Sequence, residues 1–250
     1  MKSLTVVKFG GSLTKNPQAQ KKFLKDLAEI SRKKDIILVH GGGPEINLLL
    51  EKFSIKSKFV NGLRFTDAKT MEIVELALCG KVNRILTTGL IKNGVNAVGI
   101  SAKDANSVVC KRVKSLGYVG KPVKVNKKLL ETLRKSGFMP VLASVAADEK
   151  GAPVNVNADI LATSIAVAFK AEKLIFLTDV AGVLDKSKKT IKEIKIKDIE
   201  PLIKNETVTG GMIPKIKSCA ESVKKGVKEV WIADGMKGIK NITGTVIKKG

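Results

Sequence analysis

Aromatic side chains are few in this chain of 250 residues: eight Phe, one Tyr and one Trp, 4% in all. So small a supply of rings offers little of the stacking surface that holds single-stranded nucleic acid. Acidic residues are also short. Twenty-three Asp and Glu face 46 Lys and Arg, for a formal net charge of +23. The excess is nearly all lysine, scattered in short runs such as 21–25, 121–128, 186–197 and 224–228 rather than gathered in one element. It reads as a solvated surface, with attraction of an anionic substrate or an acidic partner as a secondary effect. Histidine is limited to His40, which excludes a His-rich metal centre and a Ser-His-Asp triad. The three cysteines, Cys79, Cys110 and Cys219, have no paired spacing and fit buried thiols in a reducing cytoplasm. No run approaches the ~20 apolar residues of a membrane span. The opening MKSLTVVKFGG has too short an apolar part for a signal peptide. With 44% hydrophobic residues the chain can bury a full core, as one large domain or two lobes.

What the chain does have is two glycine turns placed after strands. Asp35 to Leu50 reads DIILVHGGGPEINLLL. Ile36 to Val39 is a short β-branched apolar run, the signature of a buried parallel strand. His40-Gly41-Gly42-Gly43 follows, and Pro44 suits the first turn of the helix that comes next. Glycines there let the backbone approach a ligand closely, and free N–H groups at a helix start favour an anion. Upstream, Leu4 to Ser12 is a second strand running into Gly10 and Gly11, with Lys8 near its end. A cation beside two such nests suggests a phosphoryl group lying across both.

Along the rest of the chain, strands and helices alternate. Helices are expected at 17–33, 44–53, 68–92, 127–136 and 160–169, and a last long helix is entered through 207–215 and runs to about Lys225. Strands are expected at 36–39, 96–100, 139–144, 174–177, 229–233 and 243–247, with a hairpin within 107–125 turning at Gly117-Tyr118-Val119-Gly120. Thr66 or Asp67 can cap the 68–92 helix, whose inner face is read as Ile73, Val74, Leu76, Ala77, Ile85 and Leu86. Residues 54–65 and 185–206 are polar and carry no assigned element. The pattern is that of an α/β fold with a mainly parallel sheet flanked by helices.

The polar groups that fall at strand ends or helix starts are Lys8, the glycines at 10–11 and 41–43, Arg64, Asn155, Asn157, Asp159, Asp179 and Lys215. In an open α/β sheet these can converge at the carboxyl ends of the strands. They include no nucleophile–base pair. Two lysines, an arginine, amides and backbone donors are equipment for stabilising spread negative charge, as phosphoryl transfer requires. Taken singly, Asn155, Asn157 and Asp159 can equally be helix caps, Asp179 a turn residue and Lys215 a solvated helix lysine.

As a set, K-F-G-G-S at 8–12, H-G-G-G at 40–43, N-G-L-R-F-T at 61–66, N-V-N-A-D at 155–159, T-D-V-A-G-V-L at 178–184 and G-G-M-I-P-K at 210–215 resemble the amino acid kinase family, in order and over essentially the whole chain. The resemblance implies a three-layer αβα sandwich with a central, mostly parallel sheet of about eight strands, in a single domain spanning 1–250. The acyl substrate would bind the half up to about residue 170, and ATP the half from about 171 onward. Lys8 and Lys215 would flank the transferring phosphoryl group, with Asp159 holding them. Gly42 and Gly43 would donate N–H groups to the reacting end of the substrate, Arg64 would clamp its α-carboxylate, and Asn155 and Asn157 would contribute to its binding. Gly10 and Gly11 would sit at the phosphates. Thr178, Asp179, Val180, Gly182, Val183, Leu184, Thr207, Val208, Thr209, Gly211 and Met212 would wrap the nucleotide.

The branch of the family most resembled implies transfer from MgATP to the side-chain carboxylate of N-acetyl-L-glutamate, in arginine biosynthesis. Mg²⁺ would be held by the phosphates and water, with no protein metal ligand assigned. A kinase for carrier-protein-linked glutamate or aminoadipate, and a non-catalytic nucleotide or nucleic-acid binder, are the alternatives. The segment 234–245 is shorter than usual for the family, and the first strand begins at once. The expectation is therefore a homodimer insensitive to arginine.

Overall fold

The structure, a computed structural model, describes residues 3–60, 62–210 and 212–250. Strand β1 (Leu4–Phe9) leads through a short 3-10 turn into helix α1 (Pro17–Ser31), which starts where Asn16 accepts the Ala19 N–H and Pro17 occupies the first turn. β2 (Asp35–His40) and α2 (Gly43–Lys52) follow. The hairpin β3 (Lys58–Val60) and β4 (Leu63–Phe65) comes next, then α3 (Ala68–Glu75) and α4 (Asn83–Lys92), joined without a break by a π-helical stretch over Leu76–Val82. β5 (Ala97–Ser101), the antiparallel pair β6 (Val108–Arg112) and β7 (Gly120–Val125), α5 (Lys128–Lys135), β8 (Met139–Ala143), β9 (Val145–Asp148) and β10 (Pro153–Asn155) complete the stretch before α6 (Ala158–Ala168). The chain continues through β11 (Lys173–Thr178), β12 (Glu193–Lys195), α7 (Ile199–Lys204), α8 (Met212–Lys224), β13 (Glu229–Asp234) and β14 (Gly244–Lys248).

Eight strands form one sheet in the order β12-β14-β13-β11-β1-β2-β8-β5, parallel except between β13 and β14. Side-chain alternation along β1 sends Leu4 and Val6 to one face and Val7 and Phe9 to the other. The first face packs against α6 and α8 through Leu161, Ile165, Ile216 and Val223. The second packs against α1 and α4 through Phe23, Leu27, Leu86 and Leu90. Helices on both faces of a mainly parallel sheet make the three-layer sandwich. β1 sits between β2 and β11, so the chain winds away from it in both directions, and a crevice opens at the carboxyl ends of these strands.

The inner face of the long helix departs from its sequence-based reading. Leu76 and Ile85 are exposed, at 56% and 44%, while Leu78, Val82, Leu86 and Leu90 are buried. Leu86 faces inward as expected; the π-helical stretch adds residues per turn, and the buried stripe beyond it runs through Val82, Leu86 and Leu90 and leaves Ile85 outside. Asp67, rather than Thr66, caps this helix by accepting the Thr70 N–H at 2.8 Å.

Candidate active site

At the carboxyl end of β1, Lys8 reaches across to the first turn of α6, where its Nζ lies 2.9 Å from Asp159 Oδ1. That oxygen is buried and is satisfied by charge rather than by a well-aligned hydrogen bond. Asn157 starts α6: its side-chain carbonyl accepts the Asp159 N–H at 2.8 Å and the Ile160 N–H at 3.3 Å. The cap spends the oxygen of Asn157 and leaves its amide N–H groups.

The two glycine turns meet beside this pair. A methyl group on Gly11 would lie 3.2 Å from the ring of Pro44 and 3.6 Å from the Gly43 nitrogen. One on Gly42 would stand 2.8 Å from Leu78 Cδ2 and 3.0 Å from Val82 Cγ2, so a larger residue there would force these side chains of the π-helical stretch to shift. At Gly43 nothing lies within 4 Å of such a methyl, and the backbone faces open space.

Opposite stands Arg64, from β4. It is buried, with its Nη2 donating to Asn47 Oδ1 at 2.6 Å, its Nη1 donating to Ser57 Oγ, and its guanidinium 4.7 Å from the centre of the Phe59 ring. Burial pushes its pKa down, yet a guanidinium remains a cation at neutral pH. Three of its five N–H donors stay uncommitted to these two oxygens, enough for a carboxylate. Asn155 donates to Thr66 Oγ1 at 3.2 Å and caps no helix.

Together these groups enclose a cleft of about 250 Å³, lined by Lys8, Gly11, Gly42, Gly43, Arg64, Asn155, Asn157 and Asp159 among others. Its apolar wall includes Ile46, Leu78 and Val119. One fixed ammonium, one fixed guanidinium and several backbone donors around a small space suit a compact dianion in contact with a phosphoryl group.

The model of the amino acid kinase family matches residues 3–234. The chain belongs to the amino acid kinase family. An acetylglutamate kinase from Endomicrobium trichonymphae is 72% identical over 249 residues, covering 100% of both chains. One from Clostridium acetobutylicum is 42% identical, covering 97% of this chain and 88% of the other. The crystal structure of smu.665 from Streptococcus mutans UA159 superposes with a TM-score of 0.84 at 34% identity, covering 100% of each chain.

The remaining residues that the family resemblance picked out lie outside the cleft lining. Gly10 starts the turn after β1. Thr178 ends β11, and its hydroxyl donates to Asp179 at 3.0 Å. Val180 and Leu184 are exposed, whereas Gly182 and Val183 are buried, with the Val183 N–H donating to Thr245 Oγ1 at 2.8 Å. Thr207 donates its N–H to Asn205, Val208 is buried, and the Met212 N–H reaches Thr209 O at 3.2 Å. Gly211 falls outside the described residues, as does Asn61. Lys215 lies half-buried in the first turn of α8. The buried thiol of Cys219, one turn on, is pushed up to about 12 by burial and feels both the Lys215 and Asp159 charges. Lys215 therefore shares a neighbourhood with Asp159 without reaching the cleft wall. The short C-terminal segment is tied to α1, where buried Asp26 accepts the Ile239 N–H at 3.0 Å and the Lys240 N–H at 3.3 Å.

Sequence reasoning missed Asn47, Ser57 and Phe59, which hold Arg64, and Thr66, which holds Asn155. The only signal for them was adjacency to motif residues, because their partners are set by tertiary folding of the β3–β4 hairpin over α2.

Proposed function

We propose that the chain is an ATP-dependent N-acetyl-L-glutamate kinase, yielding N-acetyl-L-glutamyl 5-phosphate and ADP in arginine biosynthesis. The observation that carries this reading is the Lys8–Asp159 contact beside two abutting glycine turns, with Arg64 across a cleft of about 250 Å³. The full-length identity to acetylglutamate kinases supports the choice of acceptor.

The α-carboxylate of the acceptor would sit on Arg64, whose fork suits a bidentate carboxylate. Asn155 and Asn157 would bind the body of the substrate. The side-chain carboxylate would then lie against the Gly42 and Gly43 N–H groups. It is ionised at neutral pH, so no proton has to be removed before it attacks. An oxygen of that carboxylate forms a bond to the γ-phosphorus in line, while the bond from phosphorus to the β–γ bridging oxygen breaks and its electron pair leaves with ADP. Lys8 and Lys215 would stabilise the charge that spreads over the transferring group, and Asp159 keeps Lys8 from drifting.

The nucleotide would lie over the half from about residue 171, on Thr178 to Leu184 and Thr207 to Met212, with Gly10 and Gly11 near the phosphates. Mg²⁺ would be carried mainly by the nucleotide phosphates and water, with no protein ligand assigned. When bound, Mg²⁺ neutralises β- and γ-phosphate charge. The working form would be a cytoplasmic homodimer. An ADP-release assay run side by side on N-acetyl-L-glutamate, N-acetylaspartate, glutamate and N-acetylaminoadipate tests the reading. Preference for any acceptor other than the first overturns it.

A further inference from the structure

His40 is the one histidine of the chain, and it is completely buried at the end of β2, immediately before the glycine turn. Its ring has two partners. Nδ1 lies 2.9 Å from the Gly41 carbonyl oxygen, and Nε2 lies 3.0 Å from Asn83 Nδ2. Asn83, also fully buried, stands at the junction of the π-helical stretch and α4.

The chemistry of the partners determines where the ring proton sits. Asn83 Nδ2 is also 2.8 Å from the Val141 carbonyl and 3.2 Å from the Ile100 carbonyl, both acceptors only. Asn83 Oδ1 accepts from Arg84 Nη2 and, at 3.4 Å, from Thr87 Oγ1. The amide nitrogen must therefore face the ring, and Nε2 must be the acceptor. The proton then sits on Nδ1, where it is donated to Gly41 O. Burial, with the Arg84 charge adding to it, pushes the imidazole pKa down to about 4, consistent with a neutral ring.

The Gly41 carbonyl and the Gly42 N–H belong to one planar trans peptide unit, in which they point in opposite directions. Drawing the carbonyl toward His40 turns the Gly42 N–H the other way, and Gly42 lines the cleft. A glycine has little of its own to hold that peptide plane still.

We propose that His40 is a positioning residue for phosphoryl transfer: with its tautomer fixed by Asn83, its Nδ1–H anchors the Gly41 carbonyl and so aims the Gly42 N–H at the anionic end of the acceptor. This rests on the kinase reading above. The π-helical stretch contributes twice, because it supplies Asn83 at its end and the Leu78 and Val82 side chains against which Gly42 is pressed. The arrangement is an oxyanion donor held from behind, and its worth to the reaction lies in preorganisation.

A single histidine makes the test direct. Long-range ¹H–¹⁵N correlation spectra of the wild-type imidazole report its tautomer without any variant. The Nδ1–H form, unprotonated from pH 5.5 to 8, is expected. An Nε2–H tautomer, or an imidazolium at pH 7, overturns the proposal even if the chain is an active kinase. Steady-state kinetics then separate aim from folding. His40→Gln, which lacks a donor at the Nδ1 position, should lower kcat about 10- to 100-fold, the scale of a misdirected oxyanion donor, with KM for ATP unchanged. His40→Asn, whose amide nitrogen falls close to the Nδ1 position, should recover several-fold of that loss. Asn83→Ala should show a mixed tautomer and a kcat between those of wild type and His40→Gln. Equal kcat in the Asn and Gln variants, both folded by circular dichroism, overturns the positioning role. A wild-type chain that transfers no phosphoryl group to any acceptor sinks the functional reading and this proposal with it.

Discussion

Lys8 Nζ and Asp159 Oδ1 stand 2.9 Å apart, joining the end of the central strand to the first turn of α6. The two residues are far apart in sequence, and each is fixed by its own element. Lys8 is set by pairing of β1 with β2 and β11, and Asp159 by the Asn157 cap. A lysine side chain is otherwise free to rotate, and placing its ammonium beforehand removes that freedom from the cost of reaching the transition state.

Removing this charge should therefore strike the chemical step. Lys8→Ala, and likewise Lys215→Ala, should lower kcat by roughly 10²-fold or more at saturating ATP and acceptor, in line with the loss of a preorganised charge stabiliser. A kcat near wild type in the Lys8 variant would mean that the reacting centre lies elsewhere.

Arg64 should behave differently, because a clamp on a spectator carboxylate mainly binds. Arg64→Lys loses the planar fork, and the KM for N-acetyl-L-glutamate should rise much more than the KM for ATP. Asn47→Ala, which removes the oxygen 2.6 Å from Arg64 Nη2, should move the same constant in the same direction by less. Initial-rate matrices over both substrates check this, and a change confined to ATP would refute the assignment.

The parts of this site that could be read from sequence are those built by local rules. Glycines after an apolar strand, Pro44 at a helix start and Asn157 two residues before Asp159 announce their backbone positions directly. The large sheet followed from the alternation of apolar runs with amphipathic stretches. What escaped was short or displaced. β3, β4 and β12 are three residues each; β3 and β12 carry a lysine, β4 is Leu-Arg-Phe around the site arginine, and runs this short carry no apolar signal. The π-helical stretch cannot be seen by a pattern search fixed at 3.6 residues per turn, which is why Ile85 was assigned inward. His40 offered only its singularity, since its partner Asn83 lies on an element whose register that stretch had shifted.

Neutral His40 also makes stability depend on pH. Its pKa falls from 6.5 in the open chain to about 4 when buried, so below 6.5 the unfolded chain takes up a proton that the folded one refuses. The contribution is complete above about 6.5 and is lost as pH falls through about 4. A shift of this size corresponds to about 3 kcal/mol. Urea unfolding of wild type and His40→Asn from pH 7 to pH 4 should show a steeper fall for wild type. Parallel curves would mean that the ring is not held neutral.

The last expectation concerns assembly. β5 is the edge strand of the large sheet, and α4 beside it exposes Ile85 at 44% and Ile91 at 53%. An edge strand with apolar neighbours is a surface that two copies can bury around a two-fold axis, continuing the sheet. The charge of +23 opposes association at long range. At physiological salt, however, its reach is only ~8 Å, so apolar burial at contact should win. Light scattering at 150 mM salt should give twice the 26.8 kDa of the chain. Ile91→Glu, which places a charge on that exposed face without touching the cleft, should shift the mass toward the monomer while leaving KM for both substrates close to wild type. A wild-type monomer, or a dimer indifferent to this substitution, would place the interface on another face or remove it.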